Sequence, residues 1–164
     1  MTVSVTAQEY LARAIELATA NVLNSGGPFG AVIVTADGQA FDGVNRVTAT
    51  NDPTAHAEVT AIRRACAELG RFELSGATLY TSCEPCPMCL ASALWARVDS
   101  VLFAADRHDA ASVGFDDAAF YEYFANGQPA AVLPVRKLEL DHPAAPHMLQ
   151  PFTTWNTLKT RIDY

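Results

Sequence analysis

A chain of 164 residues, of which 50% are hydrophobic and 18% charged, has the length and composition of one soluble globular domain. Its formal net charge of −7 and scattered basic residues argue against a nucleic-acid partner, because proteins that bind nucleic acids cluster Lys and Arg against phosphates. No apolar stretch reaches the ~18 residues of a membrane span, and the N-terminus lacks a signal-peptide pattern, so we expect a cytoplasmic protein with reduced cysteines.

The first third of the chain predicts a helix followed by a β-hairpin. Apolar residues recur at helical spacing over 7–23, and Thr6-Ala7-Gln8-Glu9 fits a capping box at the start of that helix. The apolar, β-branched run at 31–34 predicts a strand. Asp37-Gly38 is a hairpin signal, and it precedes a second strand near 39–46.

The middle of the chain predicts a second helix and then a strand–helix–strand unit. Asp52-Pro53 indicates the start of the second helix, and Gly70 indicates its end. A strand at 77–82, a helix over 87–96 and a strand over 98–104 follow. This order is typical of a right-handed parallel crossover, which places a ligand site at the carboxyl ends of the strands.

The last third predicts a short helix, a final strand and a terminal helix. Asp116-Asp117 fits the cap of a helix over 117–125, and 132–140 has the apolar pattern of a strand. The proline-containing run 140–151 predicts a loop before a helix over 151–162. No repeat, low-complexity segment or linker interrupts the chain, so we expect one domain.

Two short stretches together predict a zinc site. They are His56-Ala57-Glu58 and Pro85-Cys86-Pro87-Met88-Cys89, and the second begins 27 residues after Glu58. One imidazole and two thiolates leave a tetrahedral zinc ion one open position for water, and a nearby glutamate can carry that water's protons. The pattern H-x-E…P-C-x-x-C is typical of zinc deaminases that act on nucleobases.

Both stretches are expected where a helix begins. At the N-terminal end of a helix, His56 and Glu58 can reach over the open end toward one ion, and Cys86 and Cys89 share the leading face of the next helix. The partial positive charge of two helix N-termini favours thiolates.

Simpler interpretations exist for each half of this pattern. A lone C-x-x-C is also found in redox pairs, and His-Ala-Glu alone would fit a polar helix end. Cys83 would turn the site into a closed structural one if it were a fourth ligand, which is the hypothesis of a zinc-stabilised interaction module. Cys66, in the middle of a helix, fits a small buried apolar residue.

Four longer stretches resemble the bacterial guanine deaminases of the cytidine deaminase-like superfamily. The first three are shared with tRNA adenosine and cytosine deaminases, and the last is the more discriminating. The stretches are Ser25–Val32, Asn51–Ile62, Tyr80–Cys89 and Ala110–Asp117, the last containing Gly114-Phe115-Asp116-Asp117.

This resemblance implies a fold, an assembly and an activity. The implied fold is an α/β, three-layer α/β/α sandwich on a mixed sheet of five strands, forming a single deaminase domain over 1–164. The implied assembly is a homodimer in which the C-terminal loop and tail, residues 141–164, are exchanged. The implied reaction is the zinc-dependent hydrolysis of a free base, guanine, to xanthine and ammonia.

The resemblance also implies roles in the metal and purine sites. His56, Cys86 and Cys89 match the zinc ligands, and Glu58 matches the proton shuttle. Asn45 is similar to the asparagine that binds the purine, although a residue just before a loop would also fit a turn position.

Further substrate contacts are implied around these residues. Asp117 matches the carboxylate that reads the N–H edge of the base, or else serves only as an N-cap. Tyr164 matches a C-terminal tyrosine that closes the pocket, and Phe29 and Trp95 supply apolar walls. Glu84 assists the leaving ammonia, or instead caps the cysteine helix.

The chain departs from the family pattern after about residue 140, where 141–149 is longer than the usual connection. A changed lid would admit a related ring such as a triazine, a pterin, guanosine or cytosine. Adenosine in tRNA is a further alternative, which the negative charge disfavours. A panel of substrates separates these enzymes from one another and from the interaction module.

Overall fold

Two compact units make up the part of the chain that the structure describes, namely residues 5–139, 143–144 and 146–164 of a computed structural model. One unit extends to Ala125 and the other begins at Asn126. Within the described residues, none of the helices is both long enough and apolar enough to cross a membrane.

A four-stranded mixed sheet forms the centre of the first unit. Its strands are β1 (Gly30–Val34), β2 (Ala40–Val44), β3 (Thr78–Cys83) and β4 (Ser100–Ala105), in the spatial order β2-β1-β3-β4. β1 pairs antiparallel with both β2 and β3, and β3 pairs parallel with β4. The predicted hairpin and the predicted parallel pair are therefore confirmed.

Seven helices accompany the sheet in the described residues. They are α1 (Val5–Leu23), α2 (Val47–Thr50), α3 (Ala57–Leu69), α4 (Pro87–Trp95), α5 (Arg107–Ser112), α6 (Ala118–Ala125) and α7 (Gln150–Thr157). α7 belongs to the second unit and the other six to the first. The sequence predicted five of them with shifted ends, and α2 and α5 were not predicted.

Helices cover both faces of the sheet. Successive residues of β1 point to opposite faces, so Ala31 and Ile33 enter one core, whereas Val32 and Val34 enter another. The first core is completed by alanines of α3 and α4, and the second by alanines of α1. This arrangement confirms the predicted α/β/α sandwich.

The predicted number of five strands is wrong for the described residues. The expected last strand at 132–140 is irregular over 134–139, and residue 140 lies outside the described ranges. Pro134 lacks the N–H group that a strand interior needs, and Val135 and Leu138 are exposed, as they would not be in a central strand. Residues 141, 142 and 145 of the loop at 141–149 also lie outside the described ranges.

Gly43 allows α3 to pack directly against the backbone of β2. A Cβ atom at this position would lie 2.3 Å from the carbonyl oxygen of Ala57 and 2.4 Å from the backbone nitrogen of Ala61. Glycine is therefore required to hold the start of α3 close to the sheet.

We expect Gly43→Ala to lower the free energy of unfolding by about 3 kcal/mol, because α3 must move away from the strand. Gly38→Ala is the control, since its Cβ would meet nothing within 4 Å, although its φ of 87° still strains an alanine. Denaturant unfolding of both variants measures the difference. Equal destabilisation by the two substitutions would contradict the proposed close contact.

Candidate functional site

His56, Cys86 and Cys89 lie together at one end of the sheet. Their ligand atoms are all within 4.8 Å of one another. His56 Nδ1 lies 3.6 Å from the Sγ of Cys86 and 3.5 Å from the Sγ of Cys89. Residues 30 and 33 positions apart in sequence are therefore brought to one point by the fold.

Two helix N-termini meet at this cluster. His56 is the N-cap residue of α3 and Cys86 is the N-cap residue of α4, both with extended backbone conformation. Pro87 follows Cys86 at the first helical position, where its missing N–H group has no cost. The positive ends of both helix dipoles face the cluster and favour negative charge on the sulfur atoms.

The two thiols and the imidazole of the cluster shift one another's pKa values. A hydrogen bond from the Cys89 thiol, together with His56, lowers the pKa of Cys86 to about 4, and the pKa of Cys89 is raised because it keeps the shared proton. The Cys86 sulfur also raises the pKa of His56. Such a pair of thiols can exchange its shared proton for a divalent cation, and one nitrogen with two sulfur donors fits zinc.

Glu58 lies beside the three donors and is only 6% exposed. Its Oε1 accepts a hydrogen bond from Thr81 Oγ1 at 3.3 Å, and its Oε2 lies 3.4 Å from Cys89 Sγ. Burial raises the pKa of the Glu58 carboxyl. A raised pKa brings a carboxyl group closer to the pH at which an acid–base catalyst both accepts and donates a proton.

Cys83 is not part of the donor cluster found among the described residues. Its thiol is buried and donates a hydrogen bond to the carbonyl oxygen of Asp106 at 3.6 Å. Burial raises its pKa to about 11, which keeps the sulfur protonated. This environment disfavours a fourth ligand, and Cys66 packs against the core as the sequence predicted.

A cavity of about 580 Å³ opens in front of the donor cluster within the first unit. His56, Glu58 and Cys86 form part of its wall. Phe29 lines it and meets Phe115 edge to face, with ring centroids 5.0 Å apart. The cavity thus combines acid–base groups with aromatic surface, as a site for a flat polar ring requires.

The cavity wall also contains Asn45 and Asp117. Asn45 Oδ1 accepts a hydrogen bond from the backbone N–H of Val47 at 3.2 Å, so its Nδ2 group remains to donate elsewhere. The carboxylate of Asp116 accepts from Ala118 at the start of α6, at 3.0 Å. Asp117 is half-buried at the cavity, and burial raises its pKa.

Glu84 lines the cavity too, but it does not cap the cysteine helix in the described contacts. Its Oε2 accepts a hydrogen bond from the backbone N–H of Arg107, the first residue of α5, at 3.0 Å. The carboxylate therefore joins the end of β3 to α5.

Tyr121 and Arg107 were not identified from the sequence. Tyr121 Oη donates to the carbonyl oxygen of Pro85 at 2.5 Å, and the Arg107 guanidinium lies 4.6 Å from the ring centroid of Tyr121. Burial raises the pKa of Tyr121 to about 12, so the phenol stays a donor. Tyr121 lies in α6, four residues after Asp117, and this spacing was the available signal.

Trp95 is not among the residues that line the cavity of the first unit. Trp95 is the last residue of α4 and is 67% exposed, and nine residues of helix separate it from Cys86 by about 13 Å. Tyr164 belongs to the second unit. The roles of both residues remain predictions.

A family model for the cytidine and deoxycytidylate deaminase zinc-binding region matches residues 4–105. The match covers the fold from α1 to β4 and includes His56, Glu58, Cys86 and Cys89. It confirms the zinc-binding pattern and three of the four sequence stretches, and the fourth, Ala110–Asp117, lies beyond it.

Several relatives extend the match. A guanine deaminase of Bacillus subtilis is 45% identical over 159 residues, covering 96% of this chain and 98% of its own. The crystal structure of guanine deaminase from that species superposes with a TM-score of 0.87, at 46% identity over 96% of this chain and 98% of that chain.

Two other relatives match a smaller part of the chain. A structure in complex with 2,6-diaminopurine has a TM-score of 0.65 and 34% identity, over 71% of this chain and 65% of that one. A tRNA-specific adenosine deaminase of Agrobacterium fabrum is 44% identical over 78 residues, covering 48% of this chain and 51% of its own. With the zinc-binding region, the donor cluster and the sandwich fold in agreement, this chain belongs to the cytidine and deoxycytidylate deaminase family.

Proposed function

We propose that this chain catalyses the zinc-dependent hydrolytic deamination of guanine to xanthine and ammonia. The observation that carries the proposal is the 45% identity to a guanine deaminase over 96% of this chain and 98% of that protein. The match to a tRNA adenosine deaminase covers only 48% of this chain, and the net charge of −7 disfavours an RNA substrate. No observation favours a triazine, a pterin, a nucleoside or cytosine over guanine.

The proposed metal site uses His56, Cys86 and Cys89 as the three protein ligands. A fourth, open position is what distinguishes a catalytic zinc site from a closed structural one. When bound there, zinc supplies Lewis acidity and makes a water molecule acidic enough to react at neutral pH.

Glu58 moves the protons of the reaction in this proposal. It takes a proton from the attacking water and delivers it to the amine nitrogen that leaves C2 of guanine. The hydrogen bond from Thr81 holds the carboxyl group in place, and burial, which raises its pKa, suits a group that takes up and then releases a proton.

Asn45, Asp117 and Phe29 hold the base in this proposal. Asn45 donates from its Nδ2 group to a purine acceptor, and Asp117 accepts from the N–H edge of guanine. Phe29 covers the ring, supported by the edge of Phe115.

The leaving ammonia passes Glu84 in this proposal. Glu84 is held at the cavity by Arg107, which supports a defined position for its carboxylate. Trp95 does not line this cavity in the described residues of the first unit, so its role as an apolar wall rests on the family resemblance.

A substrate panel tests the proposal directly. Ammonia release is measured from guanine, adenine, cytosine, guanosine and a triazine, with and without a chelator. We expect release from guanine alone or by far most rapidly, and its loss after chelation. Release from cytosine or a triazine with none from guanine would assign a different substrate, and release that resists chelation would exclude zinc chemistry.

The zinc assignment has its own test by elemental analysis. We expect one zinc per chain in the wild type and loss of most zinc in Cys86→Ala, because two remaining ligands hold the ion poorly. Cys83→Ala is the matched control and should retain full zinc. Stoichiometric zinc in Cys86→Ala, or zinc loss in Cys83→Ala instead, would contradict the assigned ligands.

We further propose a cytoplasmic homodimer in which the C-terminal segments are exchanged. Two thiol ligands need the reducing conditions that the cytoplasm maintains. Apolar side chains on α4 and β4 are exposed in the single chain, with Leu94 79% exposed and Phe103 45%. A partner subunit that covered them would remove apolar surface from water, which supports a dimer. Light scattering after size-exclusion chromatography measures the mass, and a monomer at micromolar concentration would contradict the proposal.

Tyr164 of this subunit or its partner closes the cavity in the same proposal. We expect deletion of Asp163-Tyr164 to lower kcat/KM for guanine, because a tail that excludes water and completes the site is lost. Zinc content and the melting temperature should stay near the wild-type values. Unchanged kinetics in the truncated protein would show that the tail has no part in the reaction.

A further inference from the structure

Asn21, near the C-terminal end of α1, joins two distant segments of the cavity wall. Its Nδ2 atom donates one hydrogen bond to the carbonyl oxygen of Gly27 at 2.8 Å and another to that of Asn45 at 2.9 Å. Both N–H groups of one side-chain amide are therefore used. Gly27 and Asn45 line the cavity, whereas Asn21 is not among the lining residues.

The two carbonyl groups lie beyond the end of the sheet. The β1–β2 ladder ends where Gly30 pairs with Val44. Past that point, the backbone N–H of Asn45 donates to the carbonyl oxygen of Phe29 at 3.1 Å, and the amide of Asn21 adds the next two bonds. Asn21 thus continues the pairing of the two segments where strand pairing has stopped.

Asn45 is consequently held at two places. Asn21 binds its main-chain carbonyl, and the backbone N–H of Val47 binds its side-chain Oδ1 at 3.2 Å. With both fixed, the Nδ2 group of Asn45 has little freedom. A donor that must meet one acceptor of a bound ring benefits from such preorganisation.

Two glycines let the loop close around these amides. A Cβ atom at Gly26 would lie 2.4 Å from Nδ2 of Asn21, and a Cβ atom at Gly27 would lie 3.0 Å from the side chain of Asn45. The backbone N–H of Gly26 also donates to the carbonyl oxygen of Asn21 at 2.8 Å. The loop therefore packs closely against both the side-chain amide and the main-chain carbonyl of Asn21.

We propose that Asn21 is a positioning residue for substrate binding, because it sets the separation between the loop that carries Phe29 and the end of β2 that carries Asn45. It acts on binding of the base and leaves the metal ligands and Glu58 in place. The nature of the base rests on the proposed function, whereas the bridge itself does not.

Kinetics of Asn21→Asp provide the first test. The substitution keeps the shape of the side chain but places an oxygen against two carbonyl oxygens. We expect KM for guanine to rise about tenfold, with kcat within about twofold of wild type and one zinc per chain retained. Asn24→Asp is the matched control: Asn24 is exposed near the same helix end, and its Nδ2 donates to the carbonyl oxygen of Ala20 within the same helix turn rather than to the cavity wall. It should leave KM unchanged.

Hydrogen exchange measured by NMR without substrate provides the second test. We expect the backbone amides of Asn45 and Val47 to exchange faster in Asn21→Asp and at the wild-type rate in Asn24→Asp. If Asn21→Asp does not fold, Gly26→Ala displaces the same amide and should raise KM in the same way.

Unchanged KM with unchanged exchange would overturn the inference. An equal fall in kcat together with zinc loss would also overturn it, since that result indicates general damage to the site. If wild-type protein does not deaminate guanine, the proposed function fails on that result alone, and the exchange measurement still decides whether Asn21 positions Asn45.

Discussion

Glu58→Gln is expected to lower kcat for guanine deamination on the order of 10²–10⁴-fold while zinc content and fold are retained. The amide has nearly the shape of the carboxylate and can keep the hydrogen bond from Thr81, so the site changes little in structure. What is lost is the group that carries protons from water to the departing nitrogen. Steady-state kinetics at confirmed zinc occupancy measure the effect.

Glu68→Gln is the matched control on the same helix. Glu68 pairs with Arg64 at 2.7 Å on an exposed face of α3, where such pairs contribute little to stability. It should behave as wild type. If Glu58→Gln kept more than about a tenth of wild-type activity at full zinc occupancy, a proton-shuttle role for Glu58 would be untenable.

Guanine is expected to be preferred over adenine by about 10⁴ or more in kcat/KM, because a site built on hydrogen bonds rejects a ring that leaves them unmade. Guanine carries an N–H group at N1, which can donate a hydrogen bond to the carboxylate of Asp117. Adenine presents an acceptor at the same place, which the carboxylate repels. Specificity constants for the two bases measure the discrimination.

Asp117→Ala tests which residue is responsible. We expect it to lose most guanine turnover and to keep zinc, whereas Asp116→Ala should lose only the cap of α6 and little activity. Comparable specificity constants for guanine and adenine in the wild type would contradict this account. Full guanine turnover in Asp117→Ala would contradict it as well.

The metal site was predictable because its signal is local and chemical. His56 and Cys86 each occupy an N-cap position, so the helix starts that the sequence predicts also place the ligands. The strand–helix–strand order of β3, α4 and β4, whose parallel pair the structure confirms, places the start of α4 at the carboxyl end of β3.

The contacts that Asn21 and Tyr121 make around the site could not be predicted from the sequence, because their partners are main-chain atoms. Asn21 and Tyr121 act on main-chain carbonyl groups of Gly27, Asn45 and Pro85, which any residue type presents. No spacing rule identifies the donor for such an acceptor until the fold brings the two together. The prediction of a strand at 132–140 was wrong for a similar reason. A strand forms only when another strand pairs with it, and an apolar pattern in one segment does not show whether such a partner is present.

We propose that this chain converts guanine to xanthine with a zinc ion held by His56, Cys86 and Cys89. The most direct test of this proposal is the formation of xanthine from guanine by purified protein of known zinc content, followed by ultraviolet absorbance and by ammonia release. We expect one ammonia per xanthine formed, at a rate proportional to zinc occupancy up to one ion per chain. Fully zinc-loaded protein that forms no xanthine from guanine would contradict it.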